Sequence, residues 1–174
     1  NILANILAMA QAIEANSRDV FVSWLPLYHD MGLIGAWLGG LTCAMPAVMM
    51  SPLAFLMQPA NWLWAIHKYR GTVSLAPNFA FELCVRKIED RDIEGVDLSA
   101  LRLMLNGAEP VVPATVRRFT ERFRAFGFRP EAMAPVYGLA ECTVGLAFPP
   151  LRRLISAAQH LPNVDCRGHY SVVG

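Results

Sequence analysis

Charge is scarce in this sequence. Asp, Glu, Lys and Arg make up 17% of its 174 residues while apolar types make up 55%, a leaner surface than an ordinary soluble domain carries. From Met31 to Ile66 there is no acidic or basic residue at all. A membrane-spanning helix needs about 20 continuous apolar residues. Pro46, Pro52 and Pro59 cut this stretch into shorter pieces, Gly32, Gly35, Gly39 and Gly40 weaken the first piece, and Gln58 and Asn61 add polar groups. A span is therefore excluded, and the stretch reads as buried helix, strand and pocket wall. An excess of one sign is also lacking. The net charge is +1, so no basic field is available to attract nucleic acid. Arg117, Arg118, Arg122 and Arg124 cluster at helical spacing around Glu121, which describes a solvated helix face.

Cysteine is sparse and unpatterned. Cys43, Cys84, Cys142 and Cys166 form no CxxC pair, which removes zinc-ribbon and dithiol redox readings, and their apolar neighbourhoods suit reduced core thiols of a cytoplasmic protein. His160, Cys166 and His169 match no metal-site spacing. No signal-peptide pattern is present. Asn1 opens directly into a helical pattern, and the expectation is an excerpt of a longer chain.

What is present is an alternation of strand and helix patterns. Apolar residues at 2, 3, 6, 7, 10 and 13 recur with helical period. Val20–Trp24 reads as a buried strand, Met31–Cys43 as a helix and Ala47–Met50 as a strand. Pro59 suits the first turn of a helix ending near Arg70. Thr72–Leu75 is a strand, and Asn78 is placed to cap a helix through about Ile88. Glu89–Asp97 reads as a surface loop, Arg102–Leu105 as a strand, Pro113–Phe126 as a helix stopped by Gly127, and Met133–Tyr137 as a further strand. Ser171–Gly174 suits a return strand. Five strand-then-helix units predict an α/β fold, a largely parallel sheet with flanking helices. Ligands of such sheets sit beyond the carboxyl ends of the strands, which selects Pro26–Gly32, Pro77–Phe79, Asn106–Pro110 and Tyr137–Glu141.

Three of these segments carry chemistry. Leu25–Leu33 sets His29 beside Asp30 on a strand-to-helix turn. Their polar groups need partners, and a helix cap at Asp30 and a functional pair are both open. Leu105–Val111 offers the small Gly107 and Ala108 between Asn106 and Glu109, suited to a flat ligand or to an ordinary βα loop. Val136–Thr143 brings Tyr137, Gly138 and Glu141 within five residues. An aromatic ring there can stack on a base, and a carboxylate can hold a hard cation carried by phosphates.

Together these motifs resemble the adenylate-forming superfamily, and within it the fatty acyl-AMP ligases. Tyr137-Gly-Leu-Ala-Glu141 is similar to that superfamily's YGxTE-type motif, with Ala140 in place of the usual Thr as in the acyl-AMP ligase branch. Ser23–Gly35, Ser51–Phe55, Ala76–Cys84 and Asn106–Pro110 resemble the same branch. The resemblance runs from Asn1 to about Pro150 and implies the central part of an N-terminal adenylation domain, followed by a tail, 151–174, near the family's insertion region. It implies ATP and Mg²⁺, a fatty acid substrate, and an acyl carrier protein or polyketide synthase as acceptor. By resemblance Asn106, Gly107, Ala108 and Glu109 border the adenine, Tyr137 and Gly138 pack against it, and Glu141 holds the metal. His29 faces the reacting carboxylate as the catalytic candidate, while Asp30, Met31, Gly32, Asn78 and Phe79 shape the acyl pocket. Met49, Met50 and Met57 suit an apolar wall or plain packing. The family's phosphate loop, ribose-binding Asp and catalytic Lys are not recognised between Asn1 and Gly174, so the chain is expected to be inactive without the remainder of its enzyme. A CoA-forming ligase and a non-catalytic nucleotide- or acyl-binding domain stay open as alternatives.

Overall fold

The computed structural model describes residues 1–151 and the pair 171–172. The first helix, α1 (Ile2–Ala12), leads into β1 (Phe21–Ser23), whose three residues are all buried. A helix of π type, Met31–Leu38, continues directly into α2 (Gly39–Thr42). Then come β2 (Ala47–Met49), α3 (Pro52–Met57), α4 (Ala60–Lys68), β3 (Val73–Ala76), α5 (Asn78–Lys87), β4 (Leu103–Asn106), α6 (Pro113–Phe123) and β5 (Met133–Pro135). β1 to β5 form one sheet in the order β2-β1-β3-β4-β5, with every pairing parallel. A short antiparallel pair, β6 (Ala147–Phe148) with β7 (Ser171–Val172), stands apart from it. The expected α/β architecture is therefore present, and Ser171–Val172 is paired as a return strand.

β1, β3, β4 and β5 are short but buried on both faces, which is why they read as apolar runs without alternation, while the edge strand β2 is largely exposed. Their two-residue period still sorts the side chains. Val22, Trp24, Ser74, Met104 and Asn106 share one face. There Trp24 stacks on Phe55 at 4.0 Å, and Trp62 crosses Trp24 and Phe81 edge-on. Trp62 also donates its indole N–H to Ser74 Oγ at 3.0 Å, and the Ser74 hydroxyl donates to the Val22 carbonyl at 2.6 Å. Phe21, Leu75 and Leu105 occupy the opposite face and line a cavity bounded by α1 and the π helix.

Several sequence expectations are corrected here. Asn78 does not cap α5. Pro77 holds that position, and the buried Asn78 carboxamide instead reaches β4 and its following loop. Glu89–Asp97 is only partly a surface loop, because its 3₁₀ turn drives Ile93 into the core and Val96 follows it. The run after Met50 folds into α3, with Pro52 in the first turn and Ser51 accepting the Leu53 N–H at 3.2 Å. The arginine-rich α6 is pinned by ion pairs, Arg118 to Glu82 and Arg122 to Asp90. No described helix is long and apolar enough to cross a membrane. His160, Cys166 and His169 lie outside the described residues.

Candidate active site

A cavity of about 370 Å³ runs along the α1 face of the sheet, within the size range of small-molecule sites. Toward the amino ends of the strands it is lined by Ile13, Phe21 and Met45, all buried, with Cys43 beside them. Its walls are Ile6, Met9 and Ala10 of α1, Met31, Gly35 and Gly39 of the π helix and α2, and Leu75 and Leu105 of the sheet. The open end is polar and lies at the carboxyl edge of the strands, where His29, Asp30, Ala108, Tyr137 and Ala140 meet. Tyr137 is 60% exposed there. An apolar cavity with its few polar groups gathered at one mouth suits a molecule with a greasy tail and a polar head.

The turn between β1 and the π helix places His29 and Asp30 at that mouth. His29 Nδ1 lies 2.7 Å from Asp30 Oδ1, and the Met31 N–H donates to both, at 3.2 Å to the ring and 2.7 Å to the carboxylate. Asp30 is thus the helix cap, and it also helps to tie up one histidine nitrogen, leaving Nε2 without a partner among the described residues. Gly32 is required by packing, since a Cβ there would overlap the Pro26 carbonyl.

Of the remaining sequence candidates, the cavity gathers Met31, Ala108, Tyr137 and Gly138 and leaves out Gly32, Asn78, Phe79, Asn106, Gly107, Glu109 and Glu141. Strand period explains much of this. Asn106 follows the cavity-lining Leu105, so its side chain turns to the α5 face, where its Nδ2 is 3.4 Å from Asn78 Oδ1. Its own Oδ1 is buried without a partner among the described residues. Asn78 Oδ1 also accepts the Val112 N–H at 3.0 Å, and Glu109 Oε1 accepts the Phe79 N–H at the start of α5. Phe79 sits edge-on to Trp24 at 6.0 Å, on that same face. The room left by Gly107 is taken by Val136, whose carbonyl would lie 2.9 Å from a Cβ. Methionine does line the cavity, but as Met9, Met31 and Met45; Met49 and Met57 are exposed, Met57 by 81%.

Sequence reasoning missed α1 as a cavity wall, because a helix that lines a cavity has the same periodicity as one that packs against a core. Glu141 projects from a 3₁₀ turn, Ala140–Cys142, and is exposed. Among the described residues no group of three or more His, Cys, Asp or Glu side chains forms a metal cage. A single open carboxylate fits a Mg²⁺ delivered with substrate phosphates, a metal that commonly takes only one or two protein carboxylates.

A family model for AMP-binding enzymes matches residues 1–167. The chain belongs to the AMP-binding enzyme family. It is 45% identical over 150 residues to the 4-hydroxyphenylalkanoate adenylyltransferase of Mycobacterium tuberculosis, covering 84% of this chain and 24% of that one. It is 41% identical over 144 residues to the medium-chain-fatty-acid–[acyl-carrier-protein] ligase TtuA of Teredinibacter turnerae, covering 83% of this chain and 22% of that one. The fatty acyl-adenylate ligase of L. pneumophila, solved with acyl adenylate and pyrophosphate, superposes with a TM-score of 0.85 at 42% identity, over 87% of this chain and 27% of that one. This AMP-binding chain thus spans about a quarter of the length of the relatives it matches.

Proposed function

We propose that this AMP-binding chain forms the acyl-holding part of a fatty acyl-AMP ligase. Such an enzyme joins a fatty acid to AMP and passes the acyl group to an acyl carrier protein or polyketide synthase in the cytoplasm. The observation that carries the reading is the cavity itself, lined by apolar side chains and polar chiefly at the mouth formed by His29, Asp30 and Tyr137. A 4-hydroxyphenyl tail is the competing substrate, given the relative at 45% identity. A phenol hydroxyl away from the mouth would need a hydrogen-bonding partner, and among the described lining residues the only polar side chain there is the Cys43 thiol. Sites that read a hydroxyl carry a dedicated partner for it, so the aliphatic tail fits better.

In the reaction a carboxylate oxygen attacks the α-phosphorus of ATP. The new O–P bond forms as the bond to the bridging oxygen breaks, and pyrophosphate leaves with the electron pair. No proton transfer is needed, so the protein's contribution is positioning and charge stabilisation. The tail, buried along Ile6, Met9, Leu75 and Leu105, fixes the acid's direction. With Nδ1 2.7 Å from Asp30 Oδ1 and 3.2 Å from the Met31 nitrogen, His29 has Nε2 left to meet the carboxylate head. Tyr137 and Gly138 offer a surface for the base, beside the Asn106–Glu109 loop. Glu141 would hold Mg²⁺, which neutralises phosphate charge when bound.

The test is carboxylate-dependent ATP–pyrophosphate exchange by the intact enzyme carrying this sequence, with fatty acids of increasing length and with a 4-hydroxyphenylalkanoate. Exchange with fatty acids, transfer to a carrier protein and none to coenzyme A are expected. Exchange with the aryl acid alone, or transfer to coenzyme A alone, would overturn the respective part. Glu141→Ala should lower exchange at least tenfold, about 1.4 kcal/mol of barrier.

A further inference from the structure

Asn5 sits on α1, 140 positions before the residue it holds. Its Nδ2 donates to the Gly145 carbonyl at 2.8 Å, and the Gly145 N–H donates to its Oδ1 at 3.2 Å. One side chain thereby satisfies both backbone groups of a single loop residue, the service a neighbouring strand would normally perform.

The loop so held is not one that would keep its shape unaided. Thr143 and Val144 have φ of 65° and 103°. Both are β-branched, a class for which positive φ is a genuine outlier. Such strain persists only where the surroundings over-determine it. Here they do. The base of the loop is closed by the Tyr137 and Ala147 backbones, with bonds of 3.0 Å and 2.9 Å in opposite directions. A Cβ at Gly138 would overlap the Val144 carbonyl, and one at Gly145 would overlap the Met9 side chain. Asn5 closes the far side. Between these two fixed points lie Tyr137, Gly138 and Ala140 at the cavity mouth and Glu141 on its 3₁₀ turn.

We propose that Asn5 is a positioning residue for adenylation, acting through Gly145 to hold the Tyr137–Glu141 segment against the nucleotide and its metal. Asn5 does not itself line the cavity. Without its carboxamide, Thr143 and Val144 are free to relax to negative φ, and the turn carrying Glu141 moves with them. The inference rests on the adenylation reading above.

The experiment compares Asn5→Ala and Asn5→Gln with the parent in the intact enzyme. Asn5→Ala is expected to lower kcat per folded molecule at least tenfold and to raise the KM for Mg·ATP several-fold. Asn5→Gln, which keeps the carboxamide on a longer stem, recovers part of both. Amide exchange should accelerate across 139–147 in Asn5→Ala and stay unchanged in β3 and β4. An Asn5→Ala enzyme with parental kcat and KM per folded molecule overturns the proposal, even if its melting temperature falls, because a purely structural clamp would change only the folded fraction. If the parent shows no carboxylate-dependent exchange, the adenylation reading fails instead. Mg·ATP affinity by calorimetry then decides the matter for Asn5: weakened binding in Asn5→Ala upholds the positioning role, and unchanged or absent binding overturns it.

Discussion

Among the described residues, Asp19 is the only acidic side chain in the core. Burial alone would raise its pKa, but hydrogen bonds from Arg102, from the Thr72 hydroxyl and from the Asn16 N–H outweigh that and hold it below the ordinary 3.8. The Arg102 guanidinium grips it through Nε at 2.7 Å and Nη2 at 2.6 Å, and spends its other contacts on the carbonyls of Ile13 and Glu14 beyond α1. This pair fastens the end of the cavity-lining helix to β4. Arg102→Met should therefore cost about 3 kcal/mol, because it strands a buried carboxylate, and equilibrium urea unfolding measures it. The sign with pH follows from the depressed folded pKa. The Asp19 contribution is present above the unfolded carboxylate value and is lost as pH falls through the folded one. Below about pH 4 the parent should lose stability steeply, while Arg102→Met loses less over the same range.

At the level of elements, the glycines of the π helix decide how much space the cavity has. Gly35 lies on its wall, where a Cβ would meet Leu75 Cδ2 at an ordinary 3.6 Å. Gly35→Ala should therefore fold and retain activity. Gly35→Leu projects four carbons into the tunnel and should lower kcat/KM for the longest fatty acids at least tenfold while sparing short ones, read from exchange rates across a chain-length series. The five parallel strands are legible in the sequence because each is a short apolar run closed by Pro, Gly or Asn. The motifs at their carboxyl ends are legible for the same reason, since the topology sends every βα turn to one edge. The π geometry of Met31–Leu38 is not legible, because its apolar residues match an α-helix equally well. Nor is the face Asn106 takes, which depends on a register that a slip of one residue would reverse. Asn78 looked like a cap because Asn favours that position, yet Pro77 takes the cap, and the Asn78 carboxamide instead meets the Val112 N–H and Asn106.

Across the whole molecule, the apolar excess that opens the sequence reappears as uncovered surface. Ile2, Leu3 and Leu7 of α1, and Leu33, Trp37 and Leu41 spaced by four along the π helix and α2, are all substantially exposed. Patches of this kind promote association, so the 174-residue polypeptide should bind an apolar dye and self-associate. Trp37→Glu with Leu41→Glu should reduce both, as followed by light scattering.

The distribution of charge leads to a sharper expectation about catalysis. Among the described residues, the cavity and its mouth contain His29, Asp30 and Tyr137 but no Lys or Arg. The described arginines nearest the sheet are committed elsewhere, Arg102 to Asp19, Arg118 to Glu82 and Arg122 to Asp90. Phosphoryl-type transition states spread negative charge that must be met by preorganised cations. The described residues supply the Glu141 carboxylate, proposed for the metal, and no such cation at the mouth. The 174-residue chain by itself should consequently bind a fatty acid, detectable as quenching of a cavity-seated fluorescent acyl probe, yet give no ATP–pyrophosphate exchange. Exchange by the isolated chain would mean that a cation outside the described residues reaches the mouth. Absence of probe binding would mean that the tunnel needs further protein to stay open.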